Sequence, residues 1–395
     1  MDKETAKIID AQKTAFYVFD TKVLKERISY LRSHLPENVE ICYAVKANPF
    51  ISKEIENDVE RFEICSPGEA DVCRELDIIS SKMVISGIYK TPEFIEALAA
   101  DSSFDGVFTA ESLTQYSQLC ELSEKYKKAL RVLPRLTNDS QFGMDREDIE
   151  KLISERNDHS YINIIGIQFF SGTQKTSLKK YKRELEHLDL FLCRLNEEYG
   201  YEAPELEYGT GFPVSYFEGE ELDEDALMCG FSEIIKGMQF KGRIILELGR
   251  SIVASCGKYY THIVDIKQNK NQNYVIVDGG MHHLVYFGQQ MAMKRPFFSV
   301  IGKDSISEEK LWTVCGSLCS MNDIVVKQVC LADISIGDVL CFDNTGAYCM
   351  TEGISLFLTR DLPAVYIKKE NGDIFCVRKT FETKELNIPK YERMF

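Results

Sequence analysis

The sequence has no apolar run that approaches the roughly 18 residues of a membrane-spanning helix. Its first five residues are largely charged, where a signal peptide would need an apolar segment. Basic residues are in deficit, with 47 Lys and Arg against 62 Asp and Glu and a formal net charge of −15. That balance argues against nucleic acid or an anionic membrane as the main partner. We therefore expect a soluble globular protein of the cytoplasm.

The patterns of metal sites and disulfide frameworks are also missing. None of the 13 cysteines are spaced C-x-x-C, and in a chain of this length they predict reduced, mostly buried thiols. The adjacent residues His282 and His283 lack the spacing of a metal-binding pair on a helix. We expect no metal ion.

Low-complexity stretches, proline-rich linkers and short repeats are absent as well. What is present is an alternation of eight short apolar runs with segments of helical periodicity. The runs lie near residues 39–45, 61–66, 83–87, 106–109, 130–136, 164–170, 205–209 and 243–248. This alternation predicts a (β/α)8 barrel, although a doubly wound sheet is a rival that strand counting alone does not exclude.

The pattern changes after Arg250. Seven short strands with little helix between them follow, separated by turn signals such as Asn371-Gly372. A further strand candidate, residues 16–19, precedes the barrel and could join this second sheet. We predict an α/β protein with a barrel of residues 25–255, followed by an all-β domain made of residues 1–24 and 256–395.

Polar residues and glycines stand at the ends of several predicted strands, which is where a barrel carries its chemistry. Lys46 leaves the first strand, and a partly desolvated amine there would suit Schiff-base formation; a solvated loop lysine is the plainer alternative. Gly249 and Arg250 end the eighth strand, and Gly209 and Gly211 follow the seventh. Loops after the last two strands of a barrel often bind phosphate, although a structural turn explains such glycines equally well.

Together with further motifs, these residues resemble the ornithine and diaminopimelate decarboxylases, which are pyridoxal-phosphate enzymes of the alanine-racemase fold. Residues 43–48, Tyr-Ala-Val-Lys-Ala-Asn, resemble the family's cofactor-lysine motif. Residues 247–250 resemble its Glu-Pro-Gly-Arg signature, and 316–319 the segment with its catalytic cysteine. Other motifs match in family order at residues 62–69, 141–144, 166–174, 209–211, 337–338 and 346–348. So many short motifs in the right order make chance a poor explanation.

The resemblance implies a role for each matching residue. Lys46 would bind the cofactor as a Schiff base, and Glu247 would hydrogen-bond the pyridinium nitrogen and keep it protonated. Cys319 would enter the partner subunit's site and reprotonate the substrate carbon after carbon dioxide leaves. The residues expected to hold the phosphate are Gly209, Gly211, Gly249, Arg250 and Tyr348. Because the family's sites lie at a two-fold interface, a homodimer with shared active sites is implied.

Two positions depart from the family pattern. Phe170 stands where the family has a histidine that stacks on the cofactor ring, so it can stack but cannot carry charge. Ser320 stands where the better-known relatives have an acid that pairs with the substrate's distal ammonium. We place Ser320 and Arg295 in the substrate site and expect no free ammonium there, because an unpaired buried ammonium is costly. Asp323, three residues on, is the alternative partner for such an ammonium.

Residues 279–289 resemble a branch of the family that is associated with natural products and exopolysaccharides. That branch includes decarboxylases of amino acids tethered to acyl carrier proteins. The resemblance therefore implies removal of the α-carboxylate of an amino acid in a biosynthetic pathway, with a modified or carrier-tethered substrate as one possibility. Two alternatives stay open: a racemase or epimerase on the same cofactor, and a regulatory homologue without activity. The second is disfavoured because Lys46, Glu247 and Cys319 are all retained.

Overall fold

The computed structural model describes residues 3–303 and 310–391. The chain divides into two compact units. One unit, here the barrel unit, comprises Arg27–Val214 and Leu222–Ile252, and the other, here the sheet unit, takes the remainder of the chain. Within the described residues, no helix combines the length and the apolar character needed to cross a bilayer.

After a first strand, β1 (Phe16–Asp20), which belongs to the sheet unit, nine strands form the barrel unit. They are β2 (Val39–Ala44), β3 (Arg61–Ile64), β4 (Met83–Ile85), β5 (Val107–Ala110), β6 (Leu130–Leu136), β7 (Ile162–Ile164), β8 (Gly166–Phe170), β9 (Glu205–Gly209) and β10 (Arg243–Leu248). Strands β7 and β8 both pair with β6 and together occupy one strand position of the barrel, interrupted at Ile165. All pairings are parallel, and the ring closes because β10 pairs with β2 and β5 with β6. The predicted barrel with eight strand positions is confirmed, and its closure excludes the doubly wound sheet.

Ten α-helices occur in the described residues. They are α1 (Lys3–Ala11), α2 (Thr21–His34), α3 (Pro67–Glu75), α4 (Pro92–Ala100), α5 (Leu113–Tyr126), α6 (Arg146–Ser154), α7 (Leu178–Tyr199), α8 (Glu224–Lys236), α9 (Arg250–Val253) and α10 (Lys384–Asn387). Their starts follow local rules. The hydroxyl of Ser66 accepts a hydrogen bond from Glu69 N at 3.2 Å, with proline in the first turn of α3. The helical segments predicted between the apolar runs are present as α3 to α8.

The sheet unit contains β1 and eight later strands. These are β11 (Gly257–Asn269), β12 (Gln272–Val277), β13 (Phe298–Val300), β14 (Leu311–Cys315), β15 (Ile324–Cys330), β16 (Val339–Phe342), β17 (Ala364–Lys368) and β18 (Ile374–Arg378). Strand β1 pairs antiparallel with β11 and parallel with β17, so the predicted recruitment of the N-terminal strand is confirmed. The unit is mostly sheet rather than all-β, since α1 and α10 also occur, and Ile8 of α1 lies in its apolar core.

Candidate active site

Strand register aligns several predicted site residues at the carboxyl end of the barrel. Phe170 lies beside Gly209, and Gly209 beside Glu247, across β8, β9 and β10. On the other side of β10, Glu247 pairs in register with Cys42 of β2, two residues before that strand ends. Lys46 follows β2 directly, in a short 3-10 turn of residues Val45–Ala47. Gly211 follows β9, and Gly249 and Arg250 follow β10, so seven predicted residues share this end of the barrel.

The amine of Lys46 is held by a carboxylate on the neighbouring strand. Its Nζ lies 2.8 Å from Oε2 and 2.9 Å from Oε1 of Glu63 on β3. The Lys46 side chain is 43 % exposed, whereas that of Glu63 is 5 % exposed. The sequence predicts a partly desolvated lysine, but the structure shows an accessible and ion-paired amine. Accessibility is what an incoming aldehyde requires.

Sequence reasoning missed Glu63 and Cys65 as parts of this site. Burial raises the pKa of Glu63, but the charge and hydrogen bond of Lys46 outweigh it and hold the pKa below its usual range. The Cys65 thiol lies 3.2 Å from Oε1 of Glu63 and 3.5 Å from Nζ of Lys46. The signal was available, because Glu63 places an acid between Phe62 and Ile64 on the strand that follows the cofactor-lysine motif.

Glu247 is buried, and its carboxylate is oriented by a neighbour. Gln168 Nε2 on β8 donates a hydrogen bond of 2.7 Å to Glu247 Oε1. Burial, followed by the nearby charge of Glu63, raises the pKa of Glu247 to about 7. Burial and the proximity of Glu247 likewise raise the pKa of Glu207 well above its usual range. Two adjacent carboxyl groups in a dry site disfavour a second negative charge, so they retain a proton near neutral pH.

The charged groups around Glu247 fit a cationic aromatic nitrogen. Arg61 pairs with Glu205 at 2.6 Å and with Glu207 at 3.1 Å, and Lys46 pairs with Glu63. Among the described residues, the buried atoms Oε1 of Glu207 and Oε1 of Gln168 have no hydrogen-bond partner. In the described part of the chain Glu247 accepts a hydrogen bond from Gln168 and forms no ion pair, so its carboxylate would gain a partner in a protonated pyridine ring. The residues present fit pyridoxal phosphate.

The loops after β8 and β9 have no space for side chains at two glycines. A Cβ atom on Gly209 would lie 2.3 Å from Cδ2 of the Phe170 ring. Gly211 has a φ of +60°, and its Cβ atom would lie 2.0 Å from the carbonyl oxygen of Gly172. These two glycines let the chain pack closely at this end of the barrel and leave a backbone without side chains, as a phosphate-binding loop requires. Arg250, which begins α9, is buried with 6 % of its surface exposed.

The remaining four predicted residues belong to the sheet unit. Cys319, which is exposed, and Ser320 lie in the loop between β14 and β15. Tyr348 follows β16 and adopts a left-handed conformation with φ of +63°. Arg295 pairs at 3.1 Å with Glu218 and is 41 % exposed. Within the described residues, no group of three or more His, Cys, Asp or Glu side chains could hold a metal ion.

Comparison with known families decides the class of this site. Residues 21–254 match the family model described as pyridoxal-dependent decarboxylase, pyridoxal binding domain. The chain belongs to the pyridoxal-dependent decarboxylases. The resemblance predicted from the sequence motifs is thereby confirmed, and the protein is a carboxy-lyase that uses pyridoxal phosphate.

Relatives of this decarboxylase cover most of its length. It is 26 % identical to the L-glutamyl-[BtrI acyl-carrier protein] decarboxylase of Niallia circulans, over 93 % of this chain and 91 % of that protein. It is 25 % identical to the diaminopimelate decarboxylase of Aquifex aeolicus, over 93 % and 89 %. The structure of Helicobacter pylori diaminopimelate decarboxylase with L-lysine superposes with a TM-score of 0.83, at 21 % identity over 97 % and 98 %, and confirms the fold.

Proposed function

We propose that this decarboxylase removes the α-carboxylate of an amino acid whose far end carries no free ammonium: a neutral, acidic, acylated or carrier-tethered group. The observation that carries this proposal concerns two residues of the β14–β15 loop. Ser320 is neutral, and the carboxylate of Asp323 is already engaged by backbone N–H groups. By the resemblance drawn from the sequence, Ser320 is a neutral residue at the position where ornithine and diaminopimelate decarboxylases have an acid.

The carboxylate of Asp323 already accepts hydrogen bonds from two backbone N–H groups, one in its own loop and one in a distant segment. Its Oδ2 accepts a hydrogen bond of 2.8 Å from Leu318 N, and its Oδ1 accepts one of 2.8 Å from Met281 N. The residue is 2 % exposed. To reach a substrate ammonium, Asp323 would have to leave two buried N–H groups without acceptors, which costs roughly 1–3 kcal/mol for each group. The loop therefore offers a hydroxyl rather than a carboxylate to the substrate.

In this proposal the barrel unit and Tyr348 bind the cofactor. When bound, pyridoxal phosphate supplies the electron sink for the electron pair that stays on the α-carbon as carbon dioxide leaves. Lys46 supplies the amine that attaches the aldehyde, Glu247 binds the ring nitrogen and Phe170 covers a ring face. The phosphate is assigned to Gly209, Gly211, Gly249, Arg250 and Tyr348. Three features support these roles: an accessible amine, a buried carboxylate oriented by Gln168 and a loop backbone without side chains at Gly209 and Gly211.

We assign Cys319 the return of a proton to the α-carbon, in the active site of a second copy of the chain. Its exposure supports an intermolecular role. The test mixes inactive Lys46→Ala and Cys319→Ala proteins. If sites are shared, half of the dimers contain both variants and each regains one intact site, so about a quarter of normal activity returns. If mixing restores nothing, the assignment is wrong.

Arg295 is proposed to contact the far end of the substrate, since its guanidinium is accessible and its Glu218 pair is solvent-exposed. A tethered substrate is supported by the relative named for a glutamyl group on an acyl carrier protein. A cytoplasmic location is supported by 13 free cysteines. Residues 25–255 are proposed as the cofactor domain, and residues 1–24 with 256–395 as the domain that brings in Cys319.

The direct test measures carbon dioxide released from a panel of substrates. Free ornithine, lysine and diaminopimelate would be compared with glutamate, N-acylated amino acids and aminoacyl carrier proteins. We expect the second group to be preferred on kcat/KM. Efficient decarboxylation of free ornithine or diaminopimelate would show that another group pairs with the ammonium and would refute the proposed substrate class.

A further inference from the structure

A buried ion pair lies behind the loops that follow β8 and β9, and the chemistry above does not use it. Lys175 Nζ lies 2.9 Å from Oε2 of Glu184 on α7. Only 2 % of the lysine side chain and 9 % of the glutamate side chain are exposed. Burying two charges is expensive unless their geometry is good and their remaining hydrogen-bonding capacity is satisfied.

The surroundings meet that condition. Lys175 Nζ also donates to Ser171 Oγ at 3.0 Å and to Tyr208 OH at 3.1 Å, so the ammonium has three acceptors for its three hydrogens. Tyr208 OH donates to Glu184 Oε2 at 2.7 Å, and Ser171 Oγ donates to Glu184 Oε1 at 2.7 Å. The four side chains form a closed network that links the loop after β8, strand β9 and helix α7.

The backbone of Lys175 connects this network to the glycine loops. Lys175 N donates to the carbonyl oxygen of Gly211 at 2.9 Å. Gln174 Nε2 donates to Val214 O at 2.9 Å, and Gln174 Oε1 accepts from Val214 N at 2.7 Å. The chain from Gly172 to Lys175 is thus fixed against the chain from Gly211 to Val214.

We propose that Lys175 and Glu184 are positioning residues that set the affinity of this protein for the phosphate of its cofactor. The proposal rests on the proposed function, in which Gly209 and Gly211 bind that phosphate. Lys175 acts through the loop, because all three of its donors point to side chains of the network. A loop of backbone N–H groups binds an anion well only when those groups are held in place. A displacement of about 1 Å can cost roughly 100-fold in the strength of such an interaction.

The experiment compares two ligands that differ only in the phosphate, pyridoxal phosphate and pyridoxal. Replacing one partner leaves a buried unpaired charge, which is strongly destabilising, so the principal variant is the double substitution Lys175→Met with Glu184→Leu. We expect its Kd for pyridoxal phosphate to rise roughly 10- to 100-fold while its Kd for pyridoxal changes less than about threefold. The matched control is Lys182→Met on the same helix, whose partner Glu186 lies 3.8 Å away and is exposed. It should change neither Kd.

A parallel rise of both Kd values in the double variant would mean general damage to the site and would overturn the proposal, as would an unchanged Kd for pyridoxal phosphate. If the double variant does not fold, Ser171→Ala with Tyr208→Phe tests the same network without removing a charge. That pair should raise the Kd for pyridoxal phosphate several-fold and leave that for pyridoxal in place, and equal shifts would again refute the proposal. Failure of the unmodified protein to bind pyridoxal phosphate would instead refute the proposed function.

Discussion

The carboxyl end of the barrel and the β14–β15 loop of the sheet unit differ in what their buried carboxylates bind. In the barrel, burial and mutual proximity raise the pKa values of Glu207 and Glu247, and no ion pair of Glu247 is present among the described residues. In the loop, burial also raises the pKa of the single buried carboxylate, Asp323, but this group accepts hydrogen bonds from two backbone N–H groups. One region therefore keeps electrostatic capacity for a ligand, whereas the other uses its charge to hold its own backbone.

This difference predicts a gradient of sensitivity. A site that binds its cofactor with otherwise unsatisfied groups should lose most of its activity when one of those groups changes. A loop whose buried carboxylate already has its hydrogen-bond partners should tolerate changes in its outward side chains. Such changes should mainly alter the substrate preference.

The largest effect is expected for Lys46→Ala. Because the amine attaches the cofactor, borohydride treatment should add the mass of the reduced cofactor to the unmodified protein and not to the variant. Decarboxylation should fall on the order of 10³-fold or more. The control is Lys53→Ala, which removes an exposed lysine paired with Glu56 and should behave like the unmodified protein. An unmodified protein that stays colourless with added cofactor would support a regulatory homologue.

The next effect separates two neighbouring acids. Glu247→Gln should retain the covalently attached cofactor and slow turnover on the order of 10²-fold, because the amide weakens a charge interaction that matters most in the transition state. Glu207→Gln is the matched control: burial already favours the neutral form of this carboxyl, so a neutral amide should cost less than about threefold. Single-turnover carbon dioxide release measures both variants. Equal losses would remove the distinction between the two acids.

The fold was predictable where hydrophobic period is strong, and less so elsewhere. Eight apolar runs that alternate with helical segments specify the barrel, because parallel strands covered by helices are buried on both faces. Strand β13 (Phe298–Val300) went unrecognised, since three residues are too few to show a period. Helix α1 was missed as well, because its nine residues carry only a short apolar stripe, in which Ile8 is the buried member.

The site divides along the same line. Lys46, Glu247 and the loop glycines could be predicted as site residues because they end predicted strands in motif order. The commitment of Asp323 to Met281 N joins residues 42 positions apart, and Lys175 meets Tyr208 across 33 positions. Contacts of that separation follow from loop conformation and helix packing, which periodicity does not encode. The engagement of Asp323, the alternative partner for a substrate ammonium, therefore needed the structure, whereas the cofactor did not.

A moderate effect is expected in the pH dependence of the cofactor-free protein. The folded pKa of Glu247 is raised to about 7, against 4.5 for an ordinary glutamate, so the folded state holds this proton more tightly than the unfolded chain. Its contribution to the free energy of unfolding is therefore lost as pH rises from about 4.5 to 7. By linkage this loss is roughly 1–3 kcal/mol, and Glu247→Gln should remove it. Urea unfolding at pH 5, 6, 7 and 8 would show it, and parallel curves for the two proteins would contradict it.

The smallest effect is expected for Ser320→Asp, which restores an acid at the far end of the substrate. The loop should tolerate it, because Ser320 Oγ accepts a hydrogen bond from Asn322 N at 3.3 Å and an aspartate oxygen can accept the same bond. The position is half-buried, so solvent screens a new ion pair with a substrate ammonium. We expect kcat/KM for ornithine relative to glutamate to rise about tenfold, equivalent to about 1.4 kcal/mol, with the affinity for pyridoxal phosphate unchanged. Asn322→Asp adds the same charge two residues on and should leave the ratio near that of the unmodified protein. If both variants shift preference equally, net charge rather than the position of residue 320 controls selectivity, and the loop then lacks the specific role that separates it from the barrel.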